Sequence, residues 1–260
     1  MVLFYFLQKA RRNIVWYQFF LYLRNVLGFS ELNMTLQEAI KARHSVRAYK
    51  EQPLTAEVVE ALEEKIAELN LEGELHMQLI VNEPRAFKGV LAYGKFRGVN
   101  NYVVVAGKKS DDLDERVGYY GEQLVLFAQT LGLNTCWVGL SYTKVAKTYV
   151  LDNGEKIACY IAIGYGETQG VSHKIKSVEQ VSKSTVDAPS WFRKGVEAAL
   201  LAPTAVNQQK FSFEYVGMKD GRHQVRANKG FSMIGYTHMD LGIAKCHFEI
   251  GVEGADFTWV

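Results

Sequence analysis

Two stretches of the chain, far apart in sequence, repeat one helical pattern and so limit the folds open to it. Residues 120–133, running from Tyr-Gly-Glu to Leu-Gly-Leu, align without gaps on residues 239–252, from Met-Asp-Leu to Ile-Gly-Val. Each stretch has apolar residues at helical spacing and a glycine where the helix is predicted to close. A predicted series of helices and strands precedes each stretch. The sequence therefore predicts a degenerate internal duplication.

Hydrophobic periodicity predicts the remaining elements of both series. In the first series we expect helices at 35–44, 53–70 and 113–131, and strands at 76–81, 102–106 and 157–163. In the second we expect helices at 191–202 and 238–250, and strands at 211–216, 222–226 and 257–260. The run at 102–106, Tyr-Val-Val-Val-Ala, is typical of a central strand because it is apolar throughout and rich in β-branched residues.

Charge balance and cysteine usage exclude several function classes. Among the 260 residues, 30 Lys and Arg oppose 28 Asp and Glu, so we expect no nucleic-acid partner. The small positive excess lies in residues 1–33. Cys136, Cys159 and Cys246 are dispersed and lack metal-ligand spacing. We therefore expect neither a disulfide framework nor a metal site, and a reducing, cytoplasmic location.

Residues 1–33 differ in composition from the rest of the chain. Two aromatic-rich apolar runs, 1–7 and 14–23, flank a basic segment, and each is shorter than the roughly 20 residues that a spanning helix needs. The segment has no small-residue cleavage site of the signal-peptide kind. Two interpretations stay open. The segment is either an interfacial anchor, which would be the one route to a membrane, or upstream sequence before a working start at Met34.

The first candidate binding motif is Ala-Arg-His-Ser-Val-Arg at residues 42–47. Alternate residues of an extended chain point to one side, so Arg43, Ser45 and Arg47 are predicted to converge on one anion. Guanidinium groups bind phosphate bidentately, and a hydroxyl with nearby backbone N–H groups completes such a site. From local chemistry alone, three solvated residues at a helix end remain the alternative.

The second candidate motif is Ala-Pro-Thr-Ala-Val-Asn-Gln-Gln at residues 202–209. Proline ends the preceding helix, and the turn after it offers backbone donors and an asparagine side chain. Taken alone, the segment is also explained as an ordinary helix C-terminus.

Together the two motifs resemble the nitroreductase family of FMN-dependent oxidoreductases. Residues 42–54 are similar to the family's opening, in which Arg, Ser and a second Arg or Lys bind the phosphate and ribityl chain of FMN. The resemblance implies Arg43, Ser45 and Arg47 in this role, with His44 contributing mainly through its backbone.

The second motif resembles the family's Ala-Pro-Ser-Ala-x-Asn-x-Gln-Pro-Trp turn, which packs on the flavin from the neighbouring subunit. The resemblance implies contacts to the flavin ring, with the asparagine near the pyrimidine edge, from Pro203, Thr204, Ala205 and Asn207. Donors at that edge stabilise the charge of the reduced ring. The chain departs from the pattern in having Lys210-Phe211 where relatives have Pro-Trp.

Further patches fit the same resemblance. Residues 132–139 look like the family's Gly-Leu-Gly-Thr-Cys-Trp-Ile-Gly stretch beside the flavin ring. Asn134 replaces the second glycine, and asparagine is a residue type that tolerates a left-handed backbone conformation. This similarity implies ring contacts from Trp137, Val138 and Gly139. Basic residues implied near the phosphate or ribityl chain are Lys95, Arg97, Lys174 and Lys176. For the last two lysines, a solvated charge run is the alternative.

The separation of the motifs carries information of its own. In the family the two motifs sit close in sequence, and the flavin lies between two subunits. Here they fall in opposite halves, 34–184 and 185–260, after the extension at 1–33. The resemblance implies a nitroreductase-like α+β fold, a mostly antiparallel sheet flanked by helices, duplicated as a single-chain pseudodimer. We therefore expect a monomer with one FMN between its halves.

The resemblance also implies the activity. We expect two-electron transfer in which NADH or NADPH delivers hydride to flavin N5, and a nitroaromatic, a quinone or a similar organic acceptor is then reduced. No protein acid or base is required, because the flavin carries the chemistry. Two alternatives stay open. One is an FMN-binding protein without reductase turnover, such as a carrier or a relative used in dehalogenation or flavin breakdown. The other is an interaction protein without flavin.

Overall fold

The helices of the protein follow the predicted order closely. A computed structural model describes residues 34–92, 94–184 and 186–260. The helices are α1 (Leu36–Ala42), α2 (Ala56–Gly73), α3 (Leu113–Thr130), α4 (Val178–Val181), α5 (Ser190–Ala199) and α6 (Thr237–Gly251). Short 3₁₀ turns occur at Pro84–Phe87 and Ala205–Asn207. The five predicted helices are confirmed to within one turn at each end, whereas the one-turn α4 was not predicted.

Within the residues that the structure describes, the strands form two four-stranded sheets. The first contains β1 (His76–Ile80), β2 (Asn101–Lys108), β3 (Asn134–Val138) and β4 (Glu155–Gly164), in the antiparallel order β1-β2-β4-β3. The second contains β5 (Ser182–Ser184), β6 (Phe211–Lys219), β7 (Arg222–Lys229) and β8 (Phe257–Trp259), in that order. The pair β6–β7 is antiparallel, but β5 and β8 run parallel to their neighbours. Antiparallel pairs outnumber parallel ones, which confirms the expected, mostly antiparallel arrangement.

Amphipathic spacing explains why α2 forms and where it docks. Thr55 caps the helix through its side-chain oxygen, which accepts a hydrogen bond from the Val58 amide at 3.4 Å. Buried apolar residues recur every three or four positions, at Val58, Leu62, Ile66 and Leu69. This stripe enters the main core, which continues through α3, the facing sides of both sheets and α6. A second apolar cluster, including Tyr102 and Tyr160, fills the other face of the first sheet.

The two long helices that repeat in the sequence, α3 and α6, cross at a pair of glycines. A Cβ atom on Gly118 would lie 2.0 Å from the backbone oxygen of Met239, and one on Gly242 would lie 2.0 Å from that of Glu115. The same interval along the chain separates residues 115 from 239 and 118 from 242, so the two contacts are reciprocal. This register differs from the gapless sequence alignment, which pairs Tyr120 with Met239.

Both repeated helices close on a glycine, as predicted, but the two glycines differ in backbone conformation. Gly132 has φ +75° just after α3, whereas Gly251 is the last residue of α6 and lacks a positive φ. Its small size is needed instead for packing, since a Cβ there would lie 2.5 Å from that of Ala198 on α5. Asn134 likewise does not take a left-handed conformation. It begins β3 and pairs with Gly164.

Two predictions about chain organisation concern the boundary between the halves and the possibility of a membrane anchor. The second sheet begins at Ser182, slightly before the predicted boundary at 184/185. Within residues 34–92, 94–184 and 186–260, no helix combines the length and apolar character needed to cross a bilayer. The interpretation of residues 1–33 as an anchor or upstream sequence lies outside the described residues.

Candidate functional site

The first motif is an extended segment that continues the first sheet past β3. The Val46 amide donates to the carbonyl of Thr135 at 3.0 Å, and the Arg97 amide donates to the carbonyl of Arg47 at 2.9 Å. Because the segment is extended, alternate side chains face opposite ways. Val46 is buried in the apolar cluster beneath, whereas Ser45 and Arg47 line two adjoining spaces.

The first of these spaces is a narrow cleft of about 120 Å³ that contains parts of both motifs. Its walls include Ser45, Arg47, residues 137–139, residues 203–206, Tyr236 and Asp240. The structure therefore brings together Trp137, Val138 and Gly139 with Pro203, Thr204 and Ala205 in the walls of one cleft. Tyr236 fills the space in front of Gly139, where a Cβ would lie 2.5 Å from the tyrosine hydroxyl oxygen.

The second space is an open basic groove of about 830 Å³ that shares Ser45 and Arg47 with the cleft. Lys95 and Arg97 line it as well. Lys95 Nζ donates to Ser141 Oγ at 3.1 Å, and Arg97 forms an ion pair with Glu167. The groove and the cleft adjoin at Ser45 and Arg47, and the groove has the larger number of basic residues in its walls.

Arg43 does not line either space, contrary to the prediction that it faces the same side as Ser45 and Arg47. It is 3% exposed, and its Nε lies 3.6 Å from Oε1 of the fully buried Glu122 on α3. The Arg43 amide still bonds to the carbonyl of Ala39, so the alternation of the extended segment starts only after Arg43. Arg43 Nε and Nη1 have no hydrogen-bond partner among the described residues.

Glu122 joins Arg43 to two other elements. Oε2 accepts a hydrogen bond from Trp137 Nε1 at 2.8 Å, and Oε1 lies 2.9 Å from Nε2 of the buried His247 on α6. His247 Nδ1 is 3.1 Å from the carbonyl oxygen of Ala198, which can only accept, so Nδ1 carries a hydrogen. This buried polar cluster fixes the Trp137 ring at the wall of the cleft.

Titratable groups around the first motif are shifted mainly by burial. Burial lowers the pKa of the Arg43 guanidinium, and the Glu122 carboxylate opposes the shift. Burial raises the pKa of the Cys136 thiol against the charges of Arg47 and Arg43 and a hydrogen bond with Ser45. Burial, followed by the charge of Arg43, lowers the pKa of His44.

The second motif forms a strained turn at the rim of the cleft. Val206, Asn207 and Gln209 have φ angles of 47°, 57° and 46°. A positive φ is rare for residues other than glycine and costs on the order of 1–3 kcal/mol each, most for a β-branched residue such as Val206. Such conformations persist only where surrounding contacts fix them.

Contacts from residues 174–176 hold one side of this turn, and they use side chains that the sequence assigned to the flavin. Asn207 Nδ2 donates to the carbonyl of Lys174 at 2.8 Å, and the Asn207 side chain also accepts from Gln209 Nε2. Lys176 Nζ donates to the carbonyl of Gln209 at 2.7 Å. Burial, followed by the charge of Lys210, lowers the pKa of Lys176. Asn207, Lys174 and Lys176 are therefore absent from the cleft walls.

Asp240 holds the other side of the turn and was missed by sequence reasoning. It lies in the first turn of α6, is 2% exposed and lines the cleft. Its Oδ1 accepts from the Ala205 amide at 2.9 Å, and its Oδ2 accepts from Gln208 Nε2 at 2.6 Å. Burial raises the pKa of Asp240 to about 6, against these two hydrogen bonds. Read as sequence, Asp240 is one polar residue on an amphipathic helix, and nothing local links it to residues 205–208.

A trio of possible metal ligands lies elsewhere. His76, Asp152 and Glu155 bring ligand atoms within 4.8 Å of one another. His76 Nδ1 is already bonded to Glu155 Oε2 at 2.8 Å. None of the three lines the cleft or the basic groove.

The chain has an α+β fold, and its cleft lies between motifs from two distant parts of the sequence. The family model described as "Putative TM nitroreductase" matches residues 35–252, and the chain belongs to this nitroreductase family. No curated protein sequence matches the chain.

Comparison with solved structures gives three nitroreductases or putative nitroreductases to which the chain is similar. The chain is 24% identical to a putative nitroreductase of Thermotoga maritima, with 84% of this chain and 83% of that one covered and a TM-score of 0.56. It is 20% identical to a putative nitroreductase of Desulfovibrio desulfuricans in complex with FMN, with 60% and 98% covered and a TM-score of 0.47. It is 21% identical to a nitroreductase of Bacteroides fragilis with bound FMN, with 56% and 95% covered and a TM-score of 0.41.

Proposed function

We propose that the protein is an FMN-dependent oxidoreductase that takes electrons from NADH or NADPH and passes them to a small organic acceptor. The observation that carries the proposal is the cleft, in which Ser45 and Arg47 of the first motif meet residues 203–205 of the second. These residues come from opposite ends of a chain that belongs to the nitroreductase family.

The donor set fits the chemistry of FMN. A phosphate dianion needs several cations and hydroxyl or amide donors, and the basic groove supplies Ser45, Arg47, Lys95 and Arg97. The adjoining cleft offers the Trp137 ring, the backbone of residues 138–139 and the 203–206 turn. At about 120 Å³ the cleft is smaller than the roughly 300 Å³ typical of ligand pockets. Admitting a flavin ring therefore requires the Tyr236 side chain to leave the space before Gly139.

We assign roles accordingly. Arg47 and Ser45, at the junction of groove and cleft, bind the phosphate and ribityl chain, assisted by Lys95 and Arg97. Residues 137–139 and 203–205 pack against the ring. Arg43 acts from within the protein, where its charge lies near Ser45 and Arg47. His44 contributes by its backbone, while Asn207, Lys174 and Lys176 shape the second motif.

A single-chain pseudodimer is part of the proposal. The reciprocal contacts of Gly118 and Gly242 support it, because a two-fold arrangement of α3 and α6 makes each contact twice. The motif that would complete a second site is missing from each half of the sequence. One FMN per chain and a monomeric state follow.

Bound FMN would supply the two-electron chemistry between a nicotinamide donor and the acceptor. The protein's own residues then bind and orient. Arg47 neutralises phosphate charge, and Trp137, held by Glu122, keeps one wall of the cleft in place. Residues 203–206 line the same cleft and would pack against the ring.

The test is the absorbance spectrum of the purified protein, with flavin identified and counted after denaturation. We expect FMN at about one per chain and bleaching of its visible band by NADH or NADPH under anaerobic conditions. The variant Ser45→Ala/Arg47→Ala should lose flavin while keeping the melting temperature of flavin-free wild type. Lys219→Ala, at an exposed basic residue of β6, serves as the control. A wild-type protein that takes up no FMN contradicts the proposal. Bound FMN that no nicotinamide donor bleaches indicates a flavin-binding protein without turnover.

A further inference from the structure

Asp240 is a buried carboxylate without an ion-pair partner in the part of the chain that the structure describes. Its two oxygens bond instead to the Ala205 amide and to the Gln208 side chain, at 2.9 and 2.6 Å. Gln208 Nε2 also donates to the carbonyl of Gly235 at 3.0 Å, so the carboxylate, the turn and the segment before α6 are linked. Burying an unpaired carboxylate is costly, and both hydrogen bonds that offset this cost go to the 203–209 turn.

The turn needs such an anchor. Val206 has φ 47° and is 75% exposed, so packing of its side chain does not hold the backbone in the left-handed region. On the far side, contacts from residues 174–176 fix Asn207 and Gln209. On the cleft side, the Asp240 bonds fix Ala205 and Gln208. Val206 lies between these two sets of contacts.

We propose that Asp240 is a positioning residue that holds the 203–206 wall in the conformation that accepts the flavin ring. This inference rests on the proposed function. Asp240 acts through the turn, because each of its oxygens accepts a hydrogen bond from a residue of the turn. The side chain therefore sets flavin affinity by fixing the wall before the ligand arrives.

The experiment compares FMN dissociation constants, by quenching of flavin fluorescence, for wild type, Asp240→Ala, Asp240→Asn and Gln208→Met. Asparagine keeps an acceptor for the Ala205 amide but loses one for Gln208. We expect Asp240→Ala to weaken binding by about ten- to a hundredfold, as for loss of hydrogen bonds to a charged acceptor. Asp240→Asn and Gln208→Met should fall between it and wild type. Asp111→Asn and Asp111→Ala, at an exposed aspartate near the start of α3, are matched controls.

A second readout uses the protein without ligand. Hydrogen exchange at the Ala205 amide should be at least about tenfold faster in Asp240→Ala, while exchange within α3 stays unchanged. A general loss of stability would instead raise exchange in both places. If Asp240→Ala does not fold, Asp240→Asn and Gln208→Met provide the same comparison.

The outcomes separate this inference from the proposed function. If wild type and Asp240→Ala bind FMN equally well, and the Ala205 amide stays protected from exchange, the positioning role is wrong. The proposed function then still stands. Wild type that binds no FMN refutes both the function and the affinity claim. In that case, unchanged Ala205 exchange in Asp240→Ala would also remove the structural role.

Discussion

Replacing Glu122 by glutamine tests whether the buried polar cluster beneath the cleft has the charges inferred for it. The change keeps the shape of the side chain but leaves the Arg43 guanidinium buried without a counter-charge. Arg43 Nε lies 3.6 Å from Glu122 Oε1, and Coulomb's law at an effective dielectric constant of about 20 gives roughly 5 kcal/mol for that separation. Removing one partner of a buried pair typically costs about 3–5 kcal/mol. Both routes give the same magnitude.

The assay is thermal and urea unfolding of the flavin-free protein. For a chain of this size, a loss of about 3–5 kcal/mol lowers Tm by roughly 6–20 °C. The control is Glu64→Gln, the same change at an exposed position of α2, which should leave Tm unchanged. The double variant Arg43→Met/Glu122→Gln removes both charges and should recover much of the loss. A Glu122→Gln protein as stable as wild type would refute the assignment of a buried ion pair.

Three further predictions follow from the structure. Because burial raises the folded-state pKa of Asp240 from 3.8 to about 6, the folded protein binds that proton more tightly than the unfolded chain. Unfolding measured across pH should therefore show that wild type loses stability relative to Asp240→Asn as pH rises from about 4 to about 6. The loss should total about 3 kcal/mol, and the difference in stability should stay constant at higher pH. A pH-independent difference would refute this. Gly118→Ala and Gly242→Ala should each lower stability by at least about 1–3 kcal/mol in urea titrations, since a Cβ would strike backbone of the other helix; unchanged midpoints would contradict the close crossing. Gly139→Val should abolish FMN binding while Tm is kept, and normal binding would place the ring elsewhere.

Local patterns were enough to predict most of the fold. A short window of sequence is enough to predict a long helix with regular apolar spacing, such as α3, or a largely apolar strand, such as β2. β3 was not predicted because it starts with Asn134 and Thr135, polar residues that are buried only through pairing with distant partners. The three-residue β5 exists because it pairs with β6 far along the chain, and no local property of its Ser-Lys-Ser sequence indicates a strand.

The residues of the candidate site also divide into those that a local motif indicates and those that depend on distant partners. Ser45, Arg47 and residues 203–205 were found because their motifs are contiguous in sequence. Arg43 was assigned to the wrong face because period-two alternation was extended into a residue whose amide still belongs to the end of α1. Asp240 was missed because its role depends on partners more than thirty positions earlier, and an aspartate in the first turn of a helix is already accounted for by the helix dipole. Pairings between distant segments carry the information that local reading lacks.

The crossing of α3 and α6 at Gly118 and Gly242 has a consequence for how such a chain can vary. At this crossing the backbone of one helix contacts the backbone of the other, so backbone atoms set the distance between the helices. Side chains elsewhere on the two helices can then be exchanged over time without altering how the helices are placed. A chain built this way can lose a binding motif from one half, or acquire a buried aspartate in the other, and still present the remaining cleft in the same geometry.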